Sequence, residues 1–334
     1  MQRIKIYDKY LSERKPPVNL KKSDLSLFSH EFNKEIPESH VLIQKNIYVI
    51  NDSLISLKKL KFYSSYIYFY SPGYKKIIKD VLRNFLRSKS GVEEIEKGIW
   101  ISDNKSAVYF HWLCDALGKY YLIPNKFLDA IVLIPKKYEI SWIIEFLESL
   151  SIEYKILEEG KKYKIKKMIL PSYPAPSGNF NNKNINDVSR NIIKSCQKNK
   201  PPIGVDVKRI WISRESARRK VTNKKTIEPI LKKHNFQNYV LEDLSLSEKV
   251  ELFQSAEIIA ASHGSGLTNM IFMKEGTNLI DIRDPKDNIK NAFFSLASEF
   301  NLNYFYMERE ETNDGTIIIN PEKLDHIISS ICND

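Results

Sequence analysis

No stretch of this 334-residue chain approaches the roughly 18 uninterrupted apolar residues of a membrane-spanning helix. Met1 to Lys15 alternates charged and apolar residues where a signal peptide would carry an apolar core. A cytoplasmic address is therefore expected. Cysteine is scarce: Cys114, Cys196 and Cys332 are the full set of 3, widely spaced and without a CxxC. Neither a disulfide framework nor a zinc site is suggested, and a reducing compartment fits. Also missing are Asp-x-Asp, GxGxxG, Walker A and HExxH, each a sequence signature of a bound metal, dinucleotide or triphosphate. No metal or other cofactor is expected.

What is present is a globular composition. An apolar share of 42% against 28% charged residues is enough to offset chain entropy, so disorder is not the default. Length favours two domains of roughly 150 residues each. The formal charge of +11 predicts attraction to phosphates, nucleic acid or an anionic membrane surface without choosing among them. Lysine-rich compositional bias is the competing explanation.

Val41–Ile50 and Phe62–Tyr70 alternate β-branched or aromatic with polar residues and read as strands. Helical spacing follows over Tyr74–Arg87. A strand Gly98–Ser102, a helix Phe110–Ile123, a strand Ala130–Ile134 and a helix Ile140–Leu150 complete an α/β first domain. Pro171 to Gly178 and the asparagine-rich stretch to Asn186 form the most loop-like passage. The expected division is therefore residues 1–172, a linker at 173–186 and residues 187–334. Beyond the linker the expected strands are Arg209–Ser213, Asn238–Leu241, Glu257–Ala261, Asn278–Ile282 and Tyr304–Tyr306. Helices are expected at Lys224–His234, Ser247–Gln254, Leu267–Met273, Ile289–Phe300 and Glu322–Cys332, the last free to pack back on the first domain. Strands separated by helices of about ten residues imply right-handed crossovers and a parallel sheet. Ligands of such sheets sit beyond the carboxyl ends of the strands, which singles out the loops after Ser213, Ala261 and Ile282.

Three constellations could carry chemistry. The first is Trp211-Ile-Ser-Arg-Glu-Ser-Ala-Arg-Arg-Lys-Val-Thr-Asn223, where a strand delivers Arg214 to its mouth and a loop carries Arg218, Arg219 and Lys220. Guanidinium forks match phosphate oxygens bidentately, so this suits a diphosphate; a solvated basic loop is the bland alternative. The second is Ala260-Ala-Ser-His-Gly-Ser-Gly-Leu-Thr-Asn269 after an apolar strand. Small residues there let a ligand approach the backbone, N–H groups at a helix start bind anions, and His263 can donate to a phosphate oxygen. Glycine turns between strand and helix are common without any such role. The third is Tyr109-Phe-His-Trp-Leu-Cys-Asp115. His111 and Asp115 are four apart and share a helix face, the arrangement of an imidazole base oriented by a carboxylate. Most pairs at this spacing are surface or capping pairs, but Trp112 and Leu113 argue for a partly buried setting. Asp281, Asp284 and Asp287 follow a strand without histidines and read as a solvated turn, with Asp281 available to a ribose hydroxyl.

Taken together these residues resemble glycosyltransferase family 61. The resemblance covers roughly Gly98 to Tyr306 and rests on Ile212-Ser-Arg214 with Arg218, Arg219 and Asn223, on Leu246-Ser with Phe253, on Ala256-Glu-Ile-Ile, on His263-Gly-x-Gly-Leu-Thr-Asn269 and on His111 with Asp115. It implies a GT-B-type α/β fold of two Rossmann-like domains facing each other across a cleft, inversion at the anomeric carbon, and a nucleotide-sugar donor, most often UDP-linked. It also implies that Arg214 and the loop His263, Gly264, Ser265, Gly266, Leu267, Thr268 and Asn269 grip the donor phosphates while His111 and Asp115 face the acceptor. Gly118-Lys119 stands where the family usually shows Pro-Arg, Ser265 where alanine is common, Lys224 where glutamate is usual, and Asp281 in place of glutamate.

The expected mechanism is a single displacement in which His111, oriented by Asp115, or Asp115 itself, deprotonates an acceptor hydroxyl. Arg214, Arg219 and the loop stabilise the leaving diphosphate. The basic charge suggests an oligosaccharide or lipid-linked glycan acceptor of a capsule or lipopolysaccharide at the inner membrane. Competing readings are a silent glycan-binding relative and a basic nucleic-acid-binding protein, although no recognised nucleic-acid signature is present and no nucleic-acid partner is expected. An esterase built on Ser265 lacks the Gly-x-Ser-x-Gly elbow it needs.

Overall fold

A computed structural model describes residues 2–59, 61–63, 66, 91–199, 207–213, 220–284, 291–311 and 316–332. The expected helix Tyr74–Arg87 and most of the expected strand Phe62–Tyr70 lie outside these residues. The chain divides into two units. The first comprises Met1–Tyr10, Ile36–Ser177 and Lys183–Ile192; the second comprises Leu11–Glu35, Gly178–Asn182 and Ile193–Asp334. No helix among the described residues is long and apolar enough to cross a membrane.

The first unit is built on an eight-stranded mixed sheet. Its parallel half runs Lys162–Pro171, Val92–Ile99, Ile131–Pro135, Tyr154–Leu157, each beside the next. On the other side of Lys162–Pro171 lies the antiparallel strand Ser39–Ile50, which also carries Gln2–Tyr7 and the hairpin partner Ser53–Ser56. That hairpin turns at Asn51, whose φ of 53° is the left-handed conformation asparagine tolerates best after glycine. The unit is thus α/β, as the sequence suggested, and its sheet is mixed. Two elements run against the sequence reading. Lys162–Pro171 is a full strand in which Tyr163 and Ile165 are buried between lysines. Asn182–Asn199 is an 18-residue helix where a linker to Asn186 was expected; Ile185, Val188, Ile192 and Cys196, spaced by three or four, form its buried stripe.

The second unit holds a five-stranded, wholly parallel sheet in the order Gln237–Tyr239, Arg209–Ile212, Ile258–Ser262, Asn278–Arg283, Asn303–Glu308. Every residue of Ile258–Ser262 is buried, as a central strand covered on both faces requires. The helix Leu246–Ser255 opens with a capping box, Ser245 and Glu248 each satisfying the other's backbone N–H. The last helix, Pro321–Cys332, buries Leu324 and Ile328 in one cluster with Trp211, Ile280 and Phe305, so its apolar face is spent within the second unit.

Leu11–Glu35 joins this unit through specific contacts. The Val18 N–H donates to the Tyr304 carbonyl at 2.9 Å, and the Asn19 side chain bonds both the N–H and the carbonyl of Tyr306 at 3.1 and 2.8 Å. The exposed edge of the sheet is thereby covered. Phe28 packs fully buried against Phe294, Tyr306 and the guanidinium of Arg283. Buried Arg14 donates to Glu31 at 3.0 Å, Ser295 at 2.8 Å and Asn179 at 2.8 Å, bringing three stretches of sequence onto one charge.

Candidate active site

In the first unit the strand Val92–Ile99 ends at a loop, Trp100–Val108, that leads into a helix beginning at Tyr109. Residues Trp112–Ala116 of that helix form a π-helical turn, an irregularity that often accompanies a functional position. Trp112 and Leu113 are fully buried and anchor it. His111 Nδ1 and Asp115 Oδ2 lie 2.7 Å apart. The two side chains differ in access: His111 is 16% exposed and Asp115 5%. Burial raises the Asp115 carboxyl above its ordinary value, opposed by the bond and charge of His111 and by the charge of Lys119.

Beneath the pair lies a polar cluster that motif reading missed. Lys119 is completely buried; its Nζ sits 3.7 Å from Asp103 Oδ2, donates to the Tyr66 carbonyl at 3.3 Å and lies 3.7 Å above the Tyr173 ring. The Tyr173 hydroxyl donates to the same Asp103 oxygen at 2.7 Å, and the Tyr138 hydroxyl donates to the Asp103 backbone carbonyl. Burial lowers the Lys119 ammonium to about 8, against the raising influence of Asp103 and Asp115. The available signal was the run His111, Asp115, Lys119 at steps of four. Tyr173 was hidden inside a passage that reads as linker. At Gly118 a side chain would bring its Cβ to 3.1 Å from both Asn184 Oδ1 and Pro174, while Asn184 donates to the Gly118 carbonyl at 3.0 Å. Glycine in place of the usual proline thus coincides with a close approach of neighbouring groups.

In the second unit the strand Ile258–Ser262 delivers His263, and Ser265–Phe272 follows as a 3₁₀ helix rather than the α-helix expected. Gly264 has extended backbone, φ 167°, so its small size matters rather than its freedom. Gly266 is packed close, a Cβ there standing 3.2 Å from Leu241. His263, Gly264, Ser265 and Gly266 are partly exposed, whereas Leu267, Thr268 and Asn269 are buried. The latter three shape the loop from inside, Asn269 by donating to the Gly266 carbonyl at 2.9 Å. A 3₁₀ turn winds more tightly than an α-turn and carries these side chains into the core.

Asp281 departs from the sequence reading. It is fully buried in the strand Asn278–Arg283, with Oδ2 at 2.9 Å from His263 Nδ1 and accepting from the Tyr304 hydroxyl at 2.8 Å. Burial alone would raise this carboxyl, but His263, Arg283 and Tyr304 outweigh it and leave it below its ordinary value. It orients His263, with Oδ1 also 3.2 Å from the same ring nitrogen, and the ring packs against Phe293 at 4.7 Å, so Asp281 is a core carboxylate rather than part of a solvated turn. Asp284 likewise is no free turn residue, since it pairs with Arg309 at 3.1 Å. Asn223 spends its amide on the backbone of Ile319, accepting at 3.0 Å and donating at 2.7 Å, and so ties down the start of the helix Lys224–Lys233. Arg214, Arg218, Arg219 and Asp287 lie outside the described residues. Among the described residues no group of three or more His, Cys, Asp or Glu is placed to hold a metal ion.

The model of the family described as Glycosyltransferase 61 matches residues 109–280. That is more than half of the chain. The chain belongs to glycosyltransferase family 61. No curated protein matches it. The family match opens at Tyr109, the first residue of the helix that carries His111, Asp115 and Lys119, and takes in the His263 loop; Asp281 stands one residue beyond it. Membership makes the chain a glycosyltransferase, which takes a sugar donor and a glycan acceptor. The α/β architecture and the large multi-strand sheet fit that family.

Proposed function

We propose that the chain is an inverting, metal-independent glycosyltransferase that moves a sugar from a nucleotide-sugar, of the UDP class, to a hydroxyl of a glycan acceptor. On this reading the two units supply the two halves of a GT-B enzyme, the second taking the donor and the first the acceptor. The observation that carries it is the His111–Asp115 pair at 2.7 Å with the carboxyl buried beneath a more exposed ring. A buried carboxylate on Nδ1 fixes the imidazole's tautomer and orientation, so Nε2 is the atom that takes the acceptor proton. This geometry favours His111 as the base and Asp115 as its orienting partner.

On the donor side, charge building on the leaving diphosphate is met by Arg214, Arg218 and Arg219, and by the loop His263–Gly266, whose histidine is held from below by Asp281. Fixed donors of this kind stabilise a leaving group without a metal. The acceptor is an oligosaccharide or lipid-linked glycan of surface polysaccharide, and the formal charge of +11 supports peripheral contact with an anionic inner membrane from the cytoplasmic side. The experiment is a transfer and donor-hydrolysis assay across UDP-, GDP-, CMP- and TDP-sugars with EDTA present. Turnover should survive EDTA. It should fall roughly 10²-fold or more in Arg214→Ala, and vanish in His111→Ala while a thermal shift with the nucleotide persists. Turnover that collapses with EDTA, or that ignores His111, refutes the reading.

A further inference from the structure

His111, Asp115 and Lys119 follow one another at steps of four on one helix, yet only the first two figure in the base proposed above. Lys119 has no access to solvent and thus cannot serve as a surface charge or an acceptor contact. Its surroundings are those of a cation kept in place: Asp103 at 3.7 Å, a peptide carbonyl at 3.3 Å and an aromatic face at 3.7 Å. Asp103 is itself fixed from three directions, by the Tyr173 hydroxyl, by the Tyr138 hydroxyl on its backbone carbonyl, and by the Lys105 N–H at 2.8 Å.

The charges in this region can be counted. Two carboxylates, Asp103 and Asp115, lie buried, and the charge of Asp103 raises Asp115. Among the described residues, Lys119 is a buried cation whose charge meets both of them. The remaining titratable neighbours, Cys114, Tyr138 and Tyr173, are all pushed upward, burial being the main cause, and stay neutral near pH 7. Without the ammonium, Asp115 would be a buried carboxyl beside a second one, the situation that drives a carboxyl to keep its proton. A protonated Asp115 donates to Nδ1 instead of accepting from it, which leaves the imidazole in the wrong tautomer for taking a proton at Nε2.

We propose that Lys119 is a positioning residue that acts through Asp115: its buried ammonium keeps that carboxylate ionised and so holds His111 in its proton-accepting form. The proposal rests on the reading of His111 as the base. It assigns to the lysine of the unusual Gly118-Lys119 pair an electrostatic task, carried out without contact to either substrate.

The test uses the whole chain labelled with 13C and 15N. In Lys119→Met the joint titration of the His111–Asp115 pair, read from the His111 ring nitrogens and the Asp115 carboxyl carbon, should move up measurably, the direction expected for loss of one opposite charge. The acidic limb of the kcat profile should move with it, KM for the donor should stay put, and Lys119→Arg should restore both. In the unmodified protein the Asp115 carboxyl carbon should show a second step near pH 8, where Lys119 itself titrates; this needs no variant and holds even if Lys119→Met does not fold. A folded Lys119→Met with an unmoved titration, or an Asp115 signal flat through pH 8, overturns the proposal. A titration that moves as expected while His111→Ala keeps full turnover leaves the coupling standing and refutes the base.

Discussion

Lys119 also makes a stability prediction that does not depend on catalysis. An ammonium that titrates at 10.5 in the unfolded chain and at about 8 in the native one binds its proton more weakly when folded. Below pH 8 both states are protonated and the burial cost is carried in full, about 3 kcal/mol at about 1.4 kcal/mol per tenfold. Between pH 8 and 10.5 the native state gives up a proton that the unfolded chain still holds, so stability rises with pH across that window. Integrating from pH 7 to 9.5 gives a gain of about 2 kcal/mol. Lys119→Met, close in volume and unable to titrate at this position, should lack this gain. Urea unfolding of both proteins at the two pH values, followed by tryptophan fluorescence that reports mainly on Trp100, Trp112 and Trp142 of the same unit, measures the double difference. The tyrosines that titrate above pH 9 lie in both proteins and cancel. Parallel pH dependence in the two would show that Lys119 is not the buried, depressed ammonium described here.

In Asp281→Asn, His263 and Tyr304 are left with a single neutral amide oxygen in place of a carboxylate. The expected result is a loss of roughly 1–3 kcal/mol of stability together with a raised KM for the donor and a smaller change in kcat, read by thermal melts and donor titrations; an unchanged KM would remove His263 from the donor site. Phe28→Ala should cost roughly 3–5 kcal/mol, because the ring packs on Arg283, Phe294 and Tyr306. A melting temperature that barely moves would mean that Leu11–Glu35 is not integral to the second unit.

The second unit was legible because each strand–helix repeat is written in contiguous residues. Ile258-Ile-Ala-Ala-Ser is unbroken apolar sequence followed by a glycine turn, and the strands Asn278–Arg283 and Asn303–Glu308 lie within two residues of expectation. What escaped notice depends on partners distant in sequence. Leu11–Glu35 carries no periodic signal, since its attachment comes from the single side chains of Arg14, Asn19 and Phe28. The strand Lys162–Pro171 was masked by its lysines, although Tyr163 and Ile165 alternate as a strand should. The helix Asn182–Asn199 was masked by asparagine, a residue that favours turns, while Ile185, Val188, Ile192 and Cys196 held its period. At the site, spacing alone paired His111 with Asp115. Lys119, Asp103 and Tyr173 come together only through the fold, and Asp281 looked exposed because the sequence after it reads as a turn.

The two histidine–aspartate pairs separate the proposed roles on physical grounds. Both place a carboxylate on Nδ1, at 2.7 Å for His111 and 2.9 Å for His263. Their carboxyls move in opposite directions. Burial carries Asp115 upward, against the opposing pull of His111 and Lys119, so its charged form is held between competing influences. Asp281 is carried below its ordinary value by His263, Arg283 and Tyr304 in spite of its burial, so it stays a carboxylate and fixes His263 as a hydrogen-bond donor. A carboxyl whose charge depends on its neighbours suits the partner of a base that gains and loses a proton; one held firmly ionised suits a fixed contact with a phosphate. The family's two histidine motifs therefore need not be read as equivalent bases, and the difference is set by what surrounds each aspartate: a carboxylate neighbour and one buried ammonium in the first unit, a guanidinium and a phenol in the second.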